Sequence, residues 1–175
     1  MNSKLRNALV AAVLVAGAFT TNTFAAVANG QFTVTLTVQK TCAVNTTAAS
    51  NISLGSVNAG TATTVQSGTF TVNCSNTTPF TVGLAPSNSS TTGAGILSGT
   101  TGNTATIAYQ LYQDAGTTIW GNTAAVGSAG NGKSGTGAGM ASNKAVSFTA
   151  FANATGSTDV QPDTYKDTVT INVNF

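Results

Sequence analysis

The chain has 175 residues, of which 41% are hydrophobic and 6% are charged, and it contains no histidine. Its formal net charge of +2 includes Lys4 and Arg6, and the other charged residues are four lysines and four aspartates, which cancel. So neutral a chain offers no electrostatic surface for nucleic acid. The lack of histidine excludes Ser-His-Asp and Cys-His catalytic sites and the usual zinc sites.

The first 25 residues have the pattern of a secretory signal peptide. Lys4 and Arg6 precede an apolar run from Ala8 to Phe19, and small residues follow up to Ala25. The run is too short for a membrane-spanning helix. We expect an exported chain cleaved after Ala25 or, alternatively, after Ala28. About 150 residues then remain, enough for one domain with a sizeable core.

Apolar and polar residues alternate with a period of two in six segments of the mature chain. This alternation of β-branched and aromatic residues, punctuated by Gly, Asn and Ser, is typical of half-buried antiparallel strands. No later segment has a helical period, so the sequence predicts an all-β sandwich. The apolar positions are Phe32, Val34, Leu36 and Val38; Phe70 and Val72; Phe80, Val82 and Leu84; Ile107, Tyr109 and Leu111; Val146, Phe148 and Ala150; and Tyr165, Val169, Ile171, Val173 and Phe175.

Two cysteines, Cys42 and Cys74, are present. In an exported chain an even pair predicts a disulfide. Two thiols without histidine are too few for a tetrahedral metal site. We therefore predict a disulfide, no metal and no cofactor.

The segment Gly127–Ser134, "GSAGNGKS", matches the phosphate-binding pattern G-x-x-x-x-G-K-[ST]. That pattern needs a buried strand before it and a helix after it, and neither is predicted here. The segment lies in the second of two long polar loops, 87–103 and 121–143, which are predicted to be flexible from their composition. We expect no nucleotide binding and interpret Lys133 as a solvated loop lysine.

The chain has no glutamate, so a hydrolase with paired carboxylates would have to use its four aspartates. Asp163 and Asp167 flank the start of the final strand, and Asp159 lies in the loop before it. Turn and strand-entry roles explain these positions. The sequence therefore predicts a protein that is not an enzyme.

The N-terminal alternating segment, Phe32 to Val38, has two possible roles. A seven-stranded immunoglobulin-like sandwich needs a further edge strand beside its penultimate strand, and the alternation of the final strand continues to Phe175. The segment either closes its own domain or completes a neighbouring subunit by donor-strand complementation. Composition does not choose between the two.

Three motifs resemble the spore-coat-U-like family, the pilins of archaic (Csu-type) chaperone–usher pili. They are "FTVTLTVQKTCAV", "IAYQLYQDAGTTIWG" and "GSTDVQPDTYKDTVTINVNF", and in this order they cover nearly the whole mature chain. The Gly-rich insert after Trp120 matches least well. The resemblance implies an incomplete immunoglobulin-like β-sandwich of six strands plus an N-terminal donor strand, completed by donor-strand exchange.

The resemblance also implies partners and site residues. A periplasmic chaperone fills the open groove until, at the outer-membrane usher, a neighbouring subunit replaces it. Cys42 and Cys74 would tie the first strand to the second. The donor residues would be Phe32, Val34, Leu36 and Val38, and one groove wall would be Val169, Ile171, Val173 and Phe175.

The predicted organisation is a signal peptide over residues 1–25, a donor strand over 26–41 and a pilin domain over 42–175. The predicted function is a structural subunit of a surface pilus that supports attachment and biofilm formation. The alternative is a self-contained secreted coat or matrix protein. A two-domain tip adhesin is disfavoured because no second domain is predicted.

Overall fold

The computed structural model describes residues 26–175, so the predicted signal peptide lies outside the described residues. The chain divides into two compact units, one ending at Thr37 and one spanning Val38–Phe175. In the first unit, residues 26–37 form no regular secondary structure. The large apolar side chains of this stretch are exposed, with Phe32 at 89%.

The second unit is built from nine strands. The six strands of the larger sheet are β1 (Cys42–Asn45), β2 (Gln66–Cys74), β4 (Ala94–Gly99), β5 (Thr106–Tyr112), β7 (Val146–Ala154) and β8 (Tyr165–Lys166). The three strands of the smaller sheet are β3 (Pro79–Ala85), β6 (Lys133–Thr136) and β9 (Thr170–Asn174). Two short 3-10 helices, Ala48–Ser50 and Ser142–Lys144, precede β2 and β7. The prediction of an all-β sandwich is confirmed.

The strand order is that of an immunoglobulin-like sandwich. The larger sheet runs β1-β2-β7-β5-β4-β8 and the smaller runs β6-β3-β9, with every neighbouring pair antiparallel. An immunoglobulin sandwich places its first, second, fifth and fourth strands in one sheet and its third, sixth and seventh in the other. Strand β9 takes the sixth position. Within residues 26–175, no strand takes the seventh position beside it.

The core is an aromatic cluster between the sheets. Trp120 is fully buried and donates its indole N–H to the Val82 carbonyl at 2.9 Å. Phe70 and Phe80 both pack against Phe148, with ring centroids 5.7 and 5.9 Å from it. These rings come from the alternating positions of β2, β3 and β7, so the sequence period places them in the core.

Both long polar loops contain strands, and the prediction that they are flexible throughout is wrong. Strand β4 lies in the first loop and β6 in the second. Their glycines serve close approach: Gly95 lies opposite Tyr109 and Gly135 opposite Phe80, and a Cβ at either position would collide with the aromatic ring. Glycine here allows a strand to pass over a ring, and the ladder hydrogen bonds then hold the segment.

The phosphate-binding pattern has a different local structure from the one its chemistry requires. Lys133 and Ser134 begin β6 and pair with Val82 and Thr81, so a strand follows the loop where a helix is needed. The prediction that Lys133 is solvated is also wrong. Its ammonium donates to the Gln113 carbonyl at 2.8 Å and lies 5.0 Å from the centre of the Trp120 ring.

Candidate functional site

An open cleft lies at the side of the sandwich where β1 and β9 are the edge strands. Its volume is about 350 Å³. One rim comes from residues 46–54, which follow β1, and the other from residues 167–171, which precede and begin β9. Buried apolar residues of β2, β3, β5 and β7 line its interior, including Phe70, Leu84 and Leu111. The cleft therefore reaches the hydrophobic core, whose side chains form its floor.

Strand β9 presents a free edge along this cleft. It pairs with β3 on one side, where Val173 lies opposite Val82 and Ile171 opposite Leu84. On its other side, residues 26–175 supply no strand partner. A row of unpaired backbone groups beside an apolar surface is a template for an added strand.

The two faces of β9 have different partners. Ile171 and Val173 are half-buried against the core, and Val169 continues this face toward the start of the strand. On the opposite face, the side-chain amide of Asn172 donates to the side chain of Asn122 and that of Asn174 to the Ala124 carbonyl. These two hydrogen bonds fasten β9 to the segment after Trp120, which leaves its inner face and free edge directed at the cleft.

A polar pair lies at the Asp167 end of the cleft. Tyr109 is buried, and its hydroxyl donates to the Asp167 carboxylate at 2.6 Å. Burial, this hydrogen bond and the negative charge of Asp167 together raise the pKa of the Tyr109 phenol above its ordinary value. The other Asp167 oxygen accepts from the Thr168 backbone N–H at 2.7 Å. The carboxylate is thus held in place on the cleft wall.

The predicted groove residues are distributed unevenly over this site. Val169 and Ile171 line the cleft, Val173 packs against the core, and Phe175 is 41% exposed. The predicted donor residues are exposed and belong to no strand. Their exposed fractions are at least 81%, for Phe32, Val34, Leu36 and Val38.

The disulfide prediction is confirmed. Cys42 and Cys74 are bonded and face each other as directly paired residues of β1 and β2, with their Cα atoms 4.1 Å apart. The bond fixes the edge strand β1 to the sheet at the point where the chain enters the second unit. No free cysteine is present among residues 26–175.

Some cleft residues were not identified from the sequence. Ile52 and Leu54 line one rim and Leu97 of β4 contributes to the lining. The Ile-Ser-Leu alternation of residues 52–54 was a signal of period two, but it is too short to predict a strand. Asp167 lies in phase with Val169 and Ile171, and this phase was the available indication that it faces the cleft.

The other aspartates take part in turns. Asp114 accepts from the backbone N–H groups of Thr117 and Thr118, which holds the pKa of its carboxyl well below its usual range. Asp163 accepts from the backbone of Thr101 and Thr164, which lowers its pKa to about 2. Within the described part of the chain, no group of three or more His, Cys, Asp or Glu side chains is placed to hold a metal ion.

Helices long and apolar enough to cross a membrane are absent from the described residues. The curated proteins contain no match to this chain. Among solved structures, the chain is similar to the CsuC–CsuE chaperone–tip adhesion subunit pre-assembly complex from archaic chaperone–usher Csu pili of Acinetobacter baumannii. The identity is 20% and the TM-score 0.48, and the match covers 79% of this chain and 40% of that one.

The family described as Spore Coat Protein U domain matches residues 28–172. This range includes the exposed N-terminal segment from Phe32, both cysteines and most of β9. It is well over half of the chain, so the protein belongs to the Spore Coat Protein U domain family.

Proposed function

We propose that this protein is a structural subunit of a surface pilus and polymerises by donor-strand complementation. In this proposal, Phe32 to Val38 of one copy enters the cleft of the next copy and pairs with the free edge of β9. A periplasmic chaperone occupies the cleft before assembly, and an outer-membrane usher exchanges it for the neighbouring subunit. The assembled fibre lies outside the cell and supports surface attachment and biofilm formation.

The observation that carries the proposal is the open cleft beside an unpaired strand edge. Core side chains such as Leu84 and Leu111 line the cleft, with the half-buried Val169 and Ile171 beside them. An added strand supplies main-chain hydrogen bonds to β9 and covers these side chains. Each exposed donor side chain that becomes fully buried in the cleft contributes roughly 1.5–3 kcal/mol.

The N-terminal segment has the complementary properties. As a strand, its alternation would place its four apolar residues on one face. All four are exposed in the structure. Four alternate positions, Phe32 to Val38, match the four alternate positions from Val169 to Phe175 in number and spacing. The chaperone and usher as partners rest on the family resemblance.

Paired substitutions on the two faces of the donor segment test the proposal. Val34→Asp would bury an unpaired carboxylate in the neighbour's cleft, whereas Thr35→Asp places the same charge on the outward face. We expect Val34→Asp to abolish fibres and Thr35→Asp to preserve them, with both variants still captured by the chaperone, which brings its own strand.

The rival is a self-contained coat or matrix protein whose Phe32–Val38 segment pairs within its own domain. On that reading Val34→Asp damages the subunit's own core, so that the chaperone complex and the fibre are lost together. Co-purification with the chaperone, scored beside electron microscopy of fibres, separates the two. Loss of both would reject the donor-strand proposal.

A further inference from the structure

In both the donor segment and the cleft wall, the next position in phase with the apolar residues is occupied by a charged residue. In the donor segment, the position in phase after Val38 is Lys40. On the cleft wall, the position in phase before Val169 is Asp167, and Asp167 and Val169 line the cleft. Each segment therefore carries four apolar residues and one charge, and the two charges have opposite signs.

An antiparallel alignment brings the two charges together. Every strand pair in the described structure is antiparallel, and an antiparallel ladder is slightly more stable per residue than a parallel one. If Val34 of the incoming strand lies opposite Val173, then Val38 lies opposite Val169 and Lys40 opposite Asp167. A parallel alignment would instead bring Gly30 opposite Asp167.

Asp167 has the capacity to bind a cation there. Within residues 26–175, its carboxylate accepts hydrogen bonds from the Tyr109 hydroxyl and the Thr168 N–H. A carboxylate offers about four acceptor positions, so about two remain.

We propose that Asp167, oriented by Tyr109, binds Lys40 of the neighbouring copy and so fixes the direction and register of the inserted strand. This inference rests on the proposed donor-strand function. A slip of two residues into the cleft places the Lys40 ammonium against apolar Val169, where desolvation penalises it. A slip of two residues out of the cleft leaves Asp167 without its cation. The ion pair thus defines the stopping point that four similar apolar residues leave undefined.

A double-mutant cycle on assembled fibres tests the pair. Lys40→Gln removes the cation, and Asp167→Asn removes the charge but keeps an acceptor for Tyr109. We expect each single variant to accelerate subunit dissociation in denaturant roughly three- to tenfold at low salt, and the double variant to be no faster than either single one. High salt should reduce these differences. Lys166→Gln and Asp159→Asn are the matched controls and should dissociate as the wild type does.

A second measurement uses the native fibre. A carbodiimide joins an ammonium and a carboxylate that are in contact, so mass spectrometry should find Lys40 of one subunit linked to Asp167 of another. Additive effects in the cycle, or links from Lys40 only to other aspartates, would overturn the pairing. Fibres that need Val34 but are indifferent to Lys40 and Asp167 would reject the pair alone, whereas a wild-type chain that forms no fibres would reject the proposed function with it.

Discussion

Tyr109 of β5 donates a hydrogen bond to Asp167, which lies just before β9, and so links the two sheets at one end of the cleft. A hydrogen bond to a charged acceptor contributes about 1.5–3 kcal/mol. We expect Tyr109→Phe to lower the free energy of unfolding of the chaperone-bound or self-complemented subunit by that amount. Urea denaturation of the variant beside Tyr112→Phe, which leaves this bond intact, checks the value.

Burial of Tyr109, together with this bond, gives an alkaline pH dependence. Because the folded state raises the pKa of Tyr109, stability from the protonated phenol is fully present below its ordinary pKa, near 10, and is lost progressively as the pH rises beyond it. The wild type should therefore lose more stability than Tyr109→Phe above pH 10. Equal losses in both proteins would show that this phenol does not control the alkaline transition.

Asp163 gives the opposite dependence at acid pH. Its folded pKa of about 2 is below the ordinary aspartate value, so its contribution is present above that ordinary value and is lost as the pH falls through about 2. Asp163→Asn should flatten the stability profile between about pH 4 and pH 2. Asp159→Asn is the control, since the carboxylate of Asp159 accepts no side-chain hydrogen bond from the described residues. A profile unchanged by Asp163→Asn would contradict the assignment.

Reducing the Cys42–Cys74 bond should destabilise the subunit. The bond closes a loop with a sequence separation of 32, for which the chain-entropy model gives a stabilisation of about 3–4 kcal/mol. Cys42→Ser, Cys74→Ser and the double variant should lose the same stability, because all three remove one bond. Thiol labelling of unreduced, denatured wild type should find no free thiol, and a double variant much less stable than either single one would point to a packing effect instead.

Lys133 should matter for packing and have no role with nucleotides. Lys133→Ala removes a charged hydrogen bond to the Gln113 carbonyl, worth about 1.5–3 kcal/mol, and a cation–π contact with Trp120, worth about 0.5–2 kcal/mol. We expect a lower unfolding midpoint and altered tryptophan fluorescence, with Lys144→Ala as the exposed control. Magnesium-dependent ATP binding that disappears in Lys133→Ala would contradict this interpretation.

The period-two pattern predicts the fold because alternation reports burial on one face. The alternating residues of β2, β3, β5 and β7, such as Phe70 and Val82, are the buried core. Composition led to the wrong prediction of flexible Gly-rich loops, because it does not distinguish a glycine packed against an aromatic ring, as at Gly135, from a glycine in a flexible linker. The Tyr109–Asp167 pair joins residues 58 positions apart, and only the register of the folded strands brings them together.

A self-complemented subunit tests the central geometric claim directly. If the cleft lacks only a strand beside β9, then deleting residues up to Gln39 and grafting "FTVTLTV" after Phe175 through a short flexible linker should produce a stable monomer. A hairpin at this position makes the grafted strand antiparallel to β9, the direction in which its apolar residues meet Val173, Ile171 and Val169.

Two grafted control sequences separate strand filling from mere tail length. A graft carrying Val34→Asp and Leu36→Asp keeps the length but loses the apolar face, so it should remain aggregation-prone. A graft carrying Thr33→Asp and Thr35→Asp has the same charge on the solvent face, so it should be monomeric. Size-exclusion chromatography and thermal unfolding of the three proteins give the answer. If all three proteins aggregate, the cleft is not completed by this strand, because the two grafts that keep the apolar face should then have been monomeric.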